Sequence, residues 1–425
     1  NDLIRFQSFL KVSLALVLSS LYKCSHFARE QSLVIFYVHW GCYHAELMFR
    51  RINSFKSSIV VPFVAAFGRR HYKKKSWKMQ RKKENSLENF HAFYSNQFGE
   101  DWRLIFEGLK LPIQHCAVVN KFAALEDVHQ KLTSTELQLH NLSLFYSNSE
   151  CAQNQFQLDC YFPNSENHMR FPKQDKTNNG YFDYYLLDAS SILPVLALDL
   201  HPHSTVLDMC AAPGGKSVLI SQFLSNQGAL VSSEVSNTRR ANLVKVIKDY
   251  IPKISKTKEL VQVRNLSGFK FGEYEPATYD RVLVDAPCSS ERHNLQTHFE
   301  FSMWSDVSAQ ANANLQKKLL MSAVQTVIPG GTVVYSTCSM SSIENDGVID
   351  DVLSLCSGSK QLKVNVVDSH FSNHPLAEMF NYVETKHGIL VLPSHTRNWG
   401  PMYFCKLQRF SVESDSALQS KRFVV

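Results

Sequence analysis

The sequence predicts an α/β fold, a doubly wound and mostly parallel sheet, preceded by an α-rich N-terminal region. Three observations carry this expectation. From about residue 180 onward, short β-branched runs alternate with amphipathic stretches of helical length, the pattern of strand–helix–strand units. A paired-glycine loop follows the first of those runs, and folds of this kind bind ligands at the carboxyl ends of their strands. Finally, 425 residues with 44% apolar content and 28 Phe are enough to bury such a sheet and at least one further unit.

The strands are expected at 205–209, 229–234, 260–264, 279–285 and 332–336, with later runs at 363–367 and 402–407. Helices are expected between them at 215–224, 237–250, 306–328 and 342–355. Upstream, residues 89–111 read as one helix, because Phe90, Phe93, Tyr94, Phe98, Trp102, Ile105, Phe106 and Leu109 recur at helical spacing. Such a stripe is a packing face. Polar stretches at 147–157 and 163–179 read as loops, the second closing on Gly180.

Composition excludes several classes. Sixteen Gly and 14 Pro rule out collagen-like and low-complexity chains. Ten Cys, with none in a C-x-x-C pair, exclude a disulfide scaffold, zinc ribbons and thioredoxin-like motifs. The thiols read as a reduced set, and no metal site is expected. The formal charge of +7 is unevenly spread. Residues 1–83 hold 16 Lys and Arg against three acids, a net of +13, which leaves 84–425 at −6. Nine of those bases stand between Arg69 and Lys83 without an acid among them. This run reads as a solvated basic arm for which polyanions are natural partners; a merely soluble stretch or a localisation signal are the alternatives. His71, Tyr72 and Trp77 within it add stacking surface suited to nucleic acid.

Residues 1–68 are basic, poor in acids and rich in Ser and Phe, which is compatible with a mitochondrial presequence. A signal-peptide core at 12–22 and translated non-coding sequence are the competing readings. The uncharged runs at 12–22 and 31–45 are shorter than the roughly 18–20 apolar residues that span a bilayer, so no membrane helix is expected. The domain plan is therefore 1–68 as a presequence or unrelated segment and 69–179 as basic arm and N-terminal region. The α/β domain takes 180–410 and a tail takes 411–425.

The residues just after each strand carry the chemistry. Cys210, Ala211, Ala212, Pro213, Gly214, Gly215 and Lys216 follow the first. Paired Gly permits a tight turn and close backbone approach, and the next helix offers free N–H groups. A P-loop requires Gly where Cys210 stands, and a dinucleotide fingerprint requires G-x-G-x-x-G where only G-G occurs; both fail on spacing, which disfavours ATP hydrolysis. Glu234 ends the second strand, 20 residues after Gly214, where an acid can accept both hydroxyls of an adenosine ribose. Together with the Gly loop it favours a nucleoside cofactor. Asp285 and Cys288 follow the fourth strand and Cys338 the fifth, so both thiols should face one crevice. A lone Cys usually just packs. Here Cys338 also stands just before an expected helix start at Ser341 or Ser342, whose dipole would depress the thiol pKa. Asp285 beside them can donate or accept at a ring nitrogen.

The segments CAAPGGKS (210–217), VLVDAPCSS (282–290), PGGTVVYSTCSMSSIEN (329–345) and WGPMYFCKL (399–407) resemble the Fmu/Sun family of RNA (cytosine-5)-methyltransferases, and the likeness runs in order over about 69–407. Within the family, RRHYKKKSW, FYSNQFGEDW, NKFA, YYLLDASSILPVLAL and the RHNL after DAPCSSE look closest to the mitochondrial ribosomal-RNA member. The mitochondrial transfer-RNA member shares the GPMY ending. The resemblance implies a class I S-adenosylmethionine-dependent methyltransferase fold and a mitochondrial matrix enzyme. It also implies RNA as substrate, with 69–179 as an N-terminal RNA-binding region, and an mTERF-type helical-repeat protein as partner in ribosome assembly. It implies Cys338 as the nucleophile at C6 of cytosine, Asp285 at N3, and Cys288 in removing the C5 proton and releasing product. DNA cytosine methyltransferases use the Cys of the Pro-Cys motif as nucleophile instead, so a swap of the two thiols is the internal alternative. Cofactor contacts carried over are Cys210–Lys216, Glu234, Arg239, Ser267, Gly268 and Asp285. Glu234 stands where relatives often carry Asp. Ser267 stands where they usually carry Asp, which would weaken contact to the adenine amino group. A non-catalytic RNA-binding assembly factor is the competing function.

Overall fold

The computed structural model describes residues 86–123, 125–133, 137–141, 158–163, 171–253, 259–297, 304–374, 376–394 and 398–411. The expected presequence, the basic arm, the 147–157 loop and nearly all of the 411–425 tail lie outside the described residues. Described residues all belong to one compact unit.

The aromatic stripe forms two helices rather than one. Helix α1 covers 86–98, a 3₁₀ turn follows at Gly99–Asp101, and α2 is Trp102–Lys110. Gly99 has φ +59°, a left-handed conformation that a right-handed helix cannot continue and that Gly adopts without steric cost. The break folds the stripe onto itself. Phe90 and Tyr94 meet Trp102 and Trp304 with ring centroids 5.1–5.6 Å apart, all four buried. Edge-on and offset contacts of this kind add to the burial of each ring.

The region upstream of residue 180 is not α-rich throughout. Strands β1 (His115–Val119), β2 (Leu137–Asn141), β3 (Asp159–Pro163) and β4 (Tyr184–Asp188) pair antiparallel in the order β2-β3-β1-β4, with helix α3 (Leu125–Thr133) between β1 and β2. Alternation along these strands explains the sheet. Cys116, Val118, Cys160 and Phe162 point to one side, into the large core, while Ala117, Val119 and Tyr161 join Val128 and Leu132 of α3 on the other. The boundary drawn at 179/180 falls between β3 and β4 and so cuts this sheet. Strands of about five residues leave a weak periodic signal, and their non-local pairing cannot be read from spacing.

The main sheet contains β5 (Thr205–Asp208), β6 (Ala229–Ser233), β7 (Val261–Arg264), β8 (Tyr279–Asp285), β9 (Val327–Thr337), β10 (Lys363–Val366), β11 (Tyr382–Glu384), β12 (Ile389–Val391) and β13 (Met402–Phe410). Its order is β11-β12-β13-β9-β8-β5-β6-β7, with β10 pairing the far end of β13. The five strands from β9 to β7 are parallel, and β13 closes them antiparallel. Helices α4 (Gly215–Phe223), α5 (Asn237–Tyr250), α6 (Glu291–Thr297), α7 (Asp306–Thr326) and α8 (Asp346–Ser357) connect them. Val206, Leu230, Leu283, Val334 and Phe404 bury against α4 and α5, whereas Leu207, Val282, Val284, Val333 and Tyr335 bury against α7, α8 and the α1–α2 pair. A parallel sheet covered on both faces is the doubly wound architecture expected. Chain order reverses at β5, between β6 and β8, and the crevice beyond that point is where such sheets take ligands.

Three boundaries differ from the sequence reading. The last helix starts at Asp346, not near 342. Strand β9 starts at Val327, because the preceding helix stops at Thr326, and β13 extends to Phe410. The β11–β12 hairpin, with strands of three residues each, is too short to leave a period.

Candidate active site

The loop after β5 is built around Asp208. Its carboxyl is fully buried, Oδ2 accepts from Ser217 Oγ at 2.6 Å, and Ser232 Oγ of β6 donates to Ser217 Oγ at 2.9 Å. Oδ1 has no partner. Burial therefore pushes the Asp208 carboxyl up to about 7. Gly214 adopts φ +121°, and a Cβ there would meet Leu243 and Val246 at 3.0 Å; a Cβ on Gly215 would meet the Tyr185 ring at 2.9 Å. Both glycines thus let the loop lie between α5 and β4. The loop and β4 enclose a cleft of about 220 Å³ whose walls include Tyr185, Ser191, Asp208, Ala212, Lys216 and Asp285. Cys210 is mostly buried beneath it, and burial drives its thiol up.

Glu234 is 5% exposed at the end of β6. Its Oε1 accepts from Ser236 N at 2.8 Å and its Oε2 lies 3.2 Å from Arg239. Arg239 also donates to the Ala212 carbonyl at 2.8 Å, so it staples the acid to the glycine loop. Ser267 and Gly268 follow β7, tied to the end of β6 where Ser233 Oγ donates to Leu266 O at 2.6 Å. A Cβ at Gly268 would collide with Leu319 and Met209 at 2.5 and 2.9 Å. Glu234, Arg239, Ser267 and Gly268 stand beside the cleft rather than in its wall.

At the ends of β8 and β9 the structure brings the other predicted residues together. Asp285 accepts from Lys216 Nζ at 2.8 Å and from Ser336 Oγ at 3.1 Å. Burial opposes the charge on Lys216, but Asp285 outweighs it and the ammonium is held above its usual range. Cys288 Sγ and Cys338 Sγ lie 3.0 Å apart. Ser290 Oγ is 3.0 Å from Cys338 Sγ and 3.5 Å from Cys288 Sγ. The hydrogen bond with Cys288, helped by Ser290, pulls Cys338 down against burial, and the same contact together with burial pushes Cys288 up. The contact is therefore asymmetric, with Cys338 the more acidic thiol of the two.

The helix-dipole reason for a low Cys338 pKa does not hold, since α8 begins eight residues downstream. A neighbouring thiol and a hydroxyl supply the effect. Sequence reasoning also missed Ser290, which has φ +48°, and Tyr185. It missed as well a buried layer under the thiols made by Glu291, Glu344, Ser289 and Ser339. Glu344 stands in the 329–345 segment with no role assigned to it, and Ser290 is two positions from Cys288; their nearness to the thiols was the available signal.

This arrangement puts two thiols in contact and an acid held by a lysine beside a cleft shaped by glycines. The chain as a whole matches known proteins. The family described as 16S rRNA methyltransferase RsmB/F matches residues 195–408. The chain is 35% identical over 370 residues to 5-cytosine rRNA methyltransferase NSUN4 of Bos taurus, across 82% of this chain and 95% of that protein. It is 37% identical over 333 residues to the mitochondrial tRNA (cytosine(34)-C(5))-methyltransferase of Danio rerio, across 77% and 88% respectively. A solved methyltransferase homolog protein from Pyrococcus horikoshii shares the fold with TM-score 0.54 at 21% identity, covering 78% of this chain and 98% of that one.

Proposed function

The chain belongs to the 16S rRNA methyltransferase RsmB/F family, and from that premise we propose that it methylates C5 of a cytosine in mitochondrial small-subunit ribosomal RNA through a covalent Cys338–C6 adduct. It is an S-adenosylmethionine-dependent RNA (cytosine-5)-methyltransferase and a mitochondrial protein. We assign it to the matrix, in ribosome biogenesis, with an mTERF-type helical-repeat protein as the partner that helps bring it to RNA.

The residues fit the cofactor. The unpartnered Oδ1 of Asp208 at the cleft suits a cationic ligand, and the two glycines let the loop pack against α5 and Tyr185 with Gly215 in the cleft wall. Cys210–Lys216 would hold the amino-acid end, Glu234 the ribose with Arg239 fixing it, and Ser267 with Gly268 the adenine edge. When bound, S-adenosylmethionine supplies an electrophilic methyl group. C5 of cytosine is too weak a nucleophile to take it unaided. The Cys338 thiolate bonds C6 and makes C5 enamine-like, which is covalent catalysis. Asp285, braced by Lys216, holds N3 and stabilises the charge that develops there. Cys288, having released its own proton to solvent, takes the C5 proton. The S–C6 bond then breaks and Cys338 leaves as thiolate. A base inside a helix cannot reach these groups, so the target cytosine must be unpaired or flipped out.

The observation that carries this reading is the pair of thiols 3.0 Å apart beside the Lys216–Asp285 pair. Replacing Cys288 by Ala should trap protein–RNA adducts that survive denaturation, whereas Cys338→Ala should form none and methylate nothing. Adducts accumulating only in the Cys338 variant would reverse the two roles. A transfer-RNA cytosine is the second reading, favoured by the comparable identity to the Danio rerio protein. A non-catalytic assembly role would need loss of cofactor binding, and calorimetry showing no binding at high micromolar S-adenosylmethionine would favour it.

A further inference from the structure

Beneath the two thiol loops lies a pair of buried carboxyls that the reaction as described leaves unused. Glu291 and Glu344 are both 0% exposed. Glu344 accepts from Ser289 N at 3.0 Å, from Gln316 Nε2 at 2.8 Å and from the Ser289 hydroxyl. Glu291 accepts from Tyr94 Oη at 2.6 Å and Met340 N at 3.3 Å. Ser339 Oγ sits between them, 2.7 Å from Glu291 Oε1 and 3.2 Å from Glu344 Oε1. Each residue immediately after a thiol, Ser289 and Ser339, is thus anchored on this pair. None of these partners is a cation.

A hydroxyl has one proton to give. A proton held on one carboxyl lets Ser339 donate to one member of the pair and accept from the other, which completes both contacts. Two buried carboxylates without a cation would also repel and resist desolvation together. Glu344 has the fixed N–H donors of Ser289 and Gln316, and it is the member suited to the charge. Burial pushes both carboxyls up, Glu291 to about 7, but the donors on Ser289 and Gln316 pull Glu344 back, which leaves Glu291 as the acid.

Resting on the reading of Cys338 as nucleophile, we propose that the Glu291–Glu344 pair is a positioning device that holds one proton and one negative charge, with the charge on Glu344 beside the Cys288 loop, and so keeps Cys288 protonated until Cys338 has attacked and leaves Cys338 as the thiolate. The asymmetry is geometric. The Glu344 side chain crosses from the loop that carries Cys338 to hold the backbone N–H and hydroxyl of Ser289, next to Cys288, whereas beside Cys338 its carboxyl meets only the Ser339 hydroxyl, at 3.2 Å. Ser290 Oγ, a donor, lies closer to Cys338. The other titratable groups facing the pair are Tyr94 from α1 and the two thiols. Tyr335 of β9 donates to the Glu344 carbonyl at 2.6 Å. Asp285 and Lys216 pair with each other beside the thiols. The Arg292 guanidinium is turned away, onto the carbonyls of Leu111, Asn398 and Gly400.

The test is residue-resolved alkylation of the full chain by iodoacetamide across pH, read by mass spectrometry, with cofactor binding as the check on folding. In Glu344→Gln the charge leaves the Cys288 loop, and the Cys288 profile should move to lower pH by about one unit, making its labelling near neutrality roughly tenfold faster. In Glu291→Gln the charge on Glu344 stays, and the Cys288 profile should hold within about twofold. A merely structural pair would move both variants alike, and equal shifts, or no shift in Glu344→Gln, would overturn the proposal. Where Glu344→Gln does not fold, Ser289→Ala reads the same contact: accelerated Cys288 labelling supports the device and unchanged labelling contradicts it. Adduct trapping with Cys288→Ala separately reports which thiol attacks, so failure of the nucleophile assignment is seen as adducts on the wrong residue whatever the alkylation profiles show.

Discussion

At the scale of single residues, Asp285, Cys288, Cys338, Glu234 and the 210–216 loop are legible in the sequence because each lies one step past an apolar run. Their pairings across the chain are not. Ser290, Glu344 and Lys216 act across 48 to 69 positions of sequence, a separation that pattern reading does not bridge. Two predictions belong here. Ser267→Asp should tighten S-adenosylmethionine binding about three- to tenfold, the gain of one charged acceptor over a hydroxyl, measured by calorimetry. Asp208 gives a pH dependence. Its folded carboxyl titrates near 7 while an unfolded one titrates near 4. Between those values the folded chain binds more protons than the unfolded chain, so stability falls as pH rises from about 4 to 7 and is flat above. Asp208→Asn removes that slope. Urea unfolding should find the variant more stable than wild type at pH 8, by up to about 4 kcal/mol, with little difference at pH 4. A wild-type slope matched by the variant would assign the effect elsewhere.

At the scale of elements, the parallel strands and the helices between them are readable because both faces of the sheet are buried, which leaves nearly continuous apolar runs. Short antiparallel strands are not, since β1, β3 and β4 carry only five residues each. Helix α1 shows in the aromatic stripe, but its role does not. Its Gln97 donates to Met340 O at 2.7 Å and accepts from Ser342 N at 3.1 Å, and Tyr94 reaches Glu291. The first described helix therefore braces the loop that carries Cys338. Phe90→Ala should cost about 3–5 kcal/mol by denaturant unfolding, because a fully buried ring is lost from the aromatic cluster. Gln97→Ala should cost less than about 1.5 kcal/mol yet lower kcat more than it raises KM, since it loosens the loop that carries the proposed nucleophile rather than a wall of the cleft. Equal loss in both parameters would show that α1 does not steer that loop.

At the scale of the whole molecule, the charge split decides how RNA is met. The net +7 is the sum of a +13 beginning and a −6 remainder, so the body that carries the thiols is acidic. RNA must be drawn by the arm at 69–83, by local patches or by a partner protein. Deleting the nine bases of that arm should weaken RNA binding and flatten its salt dependence in proportion to the number of phosphates the arm neutralises; an unchanged salt slope would shift the work to the body or the partner. The boundary at 179/180 fails at this scale because β4 belongs to a sheet begun before it and to the wall of the cleft after it. Residue Tyr185 of that strand packs on Gly215, so the upstream region helps shape the site rather than hanging beside it. Methyl transfer to C5 of cytosine through Cys338 is checked most directly by incubating the full chain with labelled S-adenosylmethionine and mitochondrial small-subunit ribosomal RNA, with methylated positions mapped by bisulfite sequencing. The wild-type chain should produce 5-methylcytosine and Cys338→Ala none; methylation that persists in that variant, or that appears only on transfer RNA, would contradict the mechanism and substrate proposed.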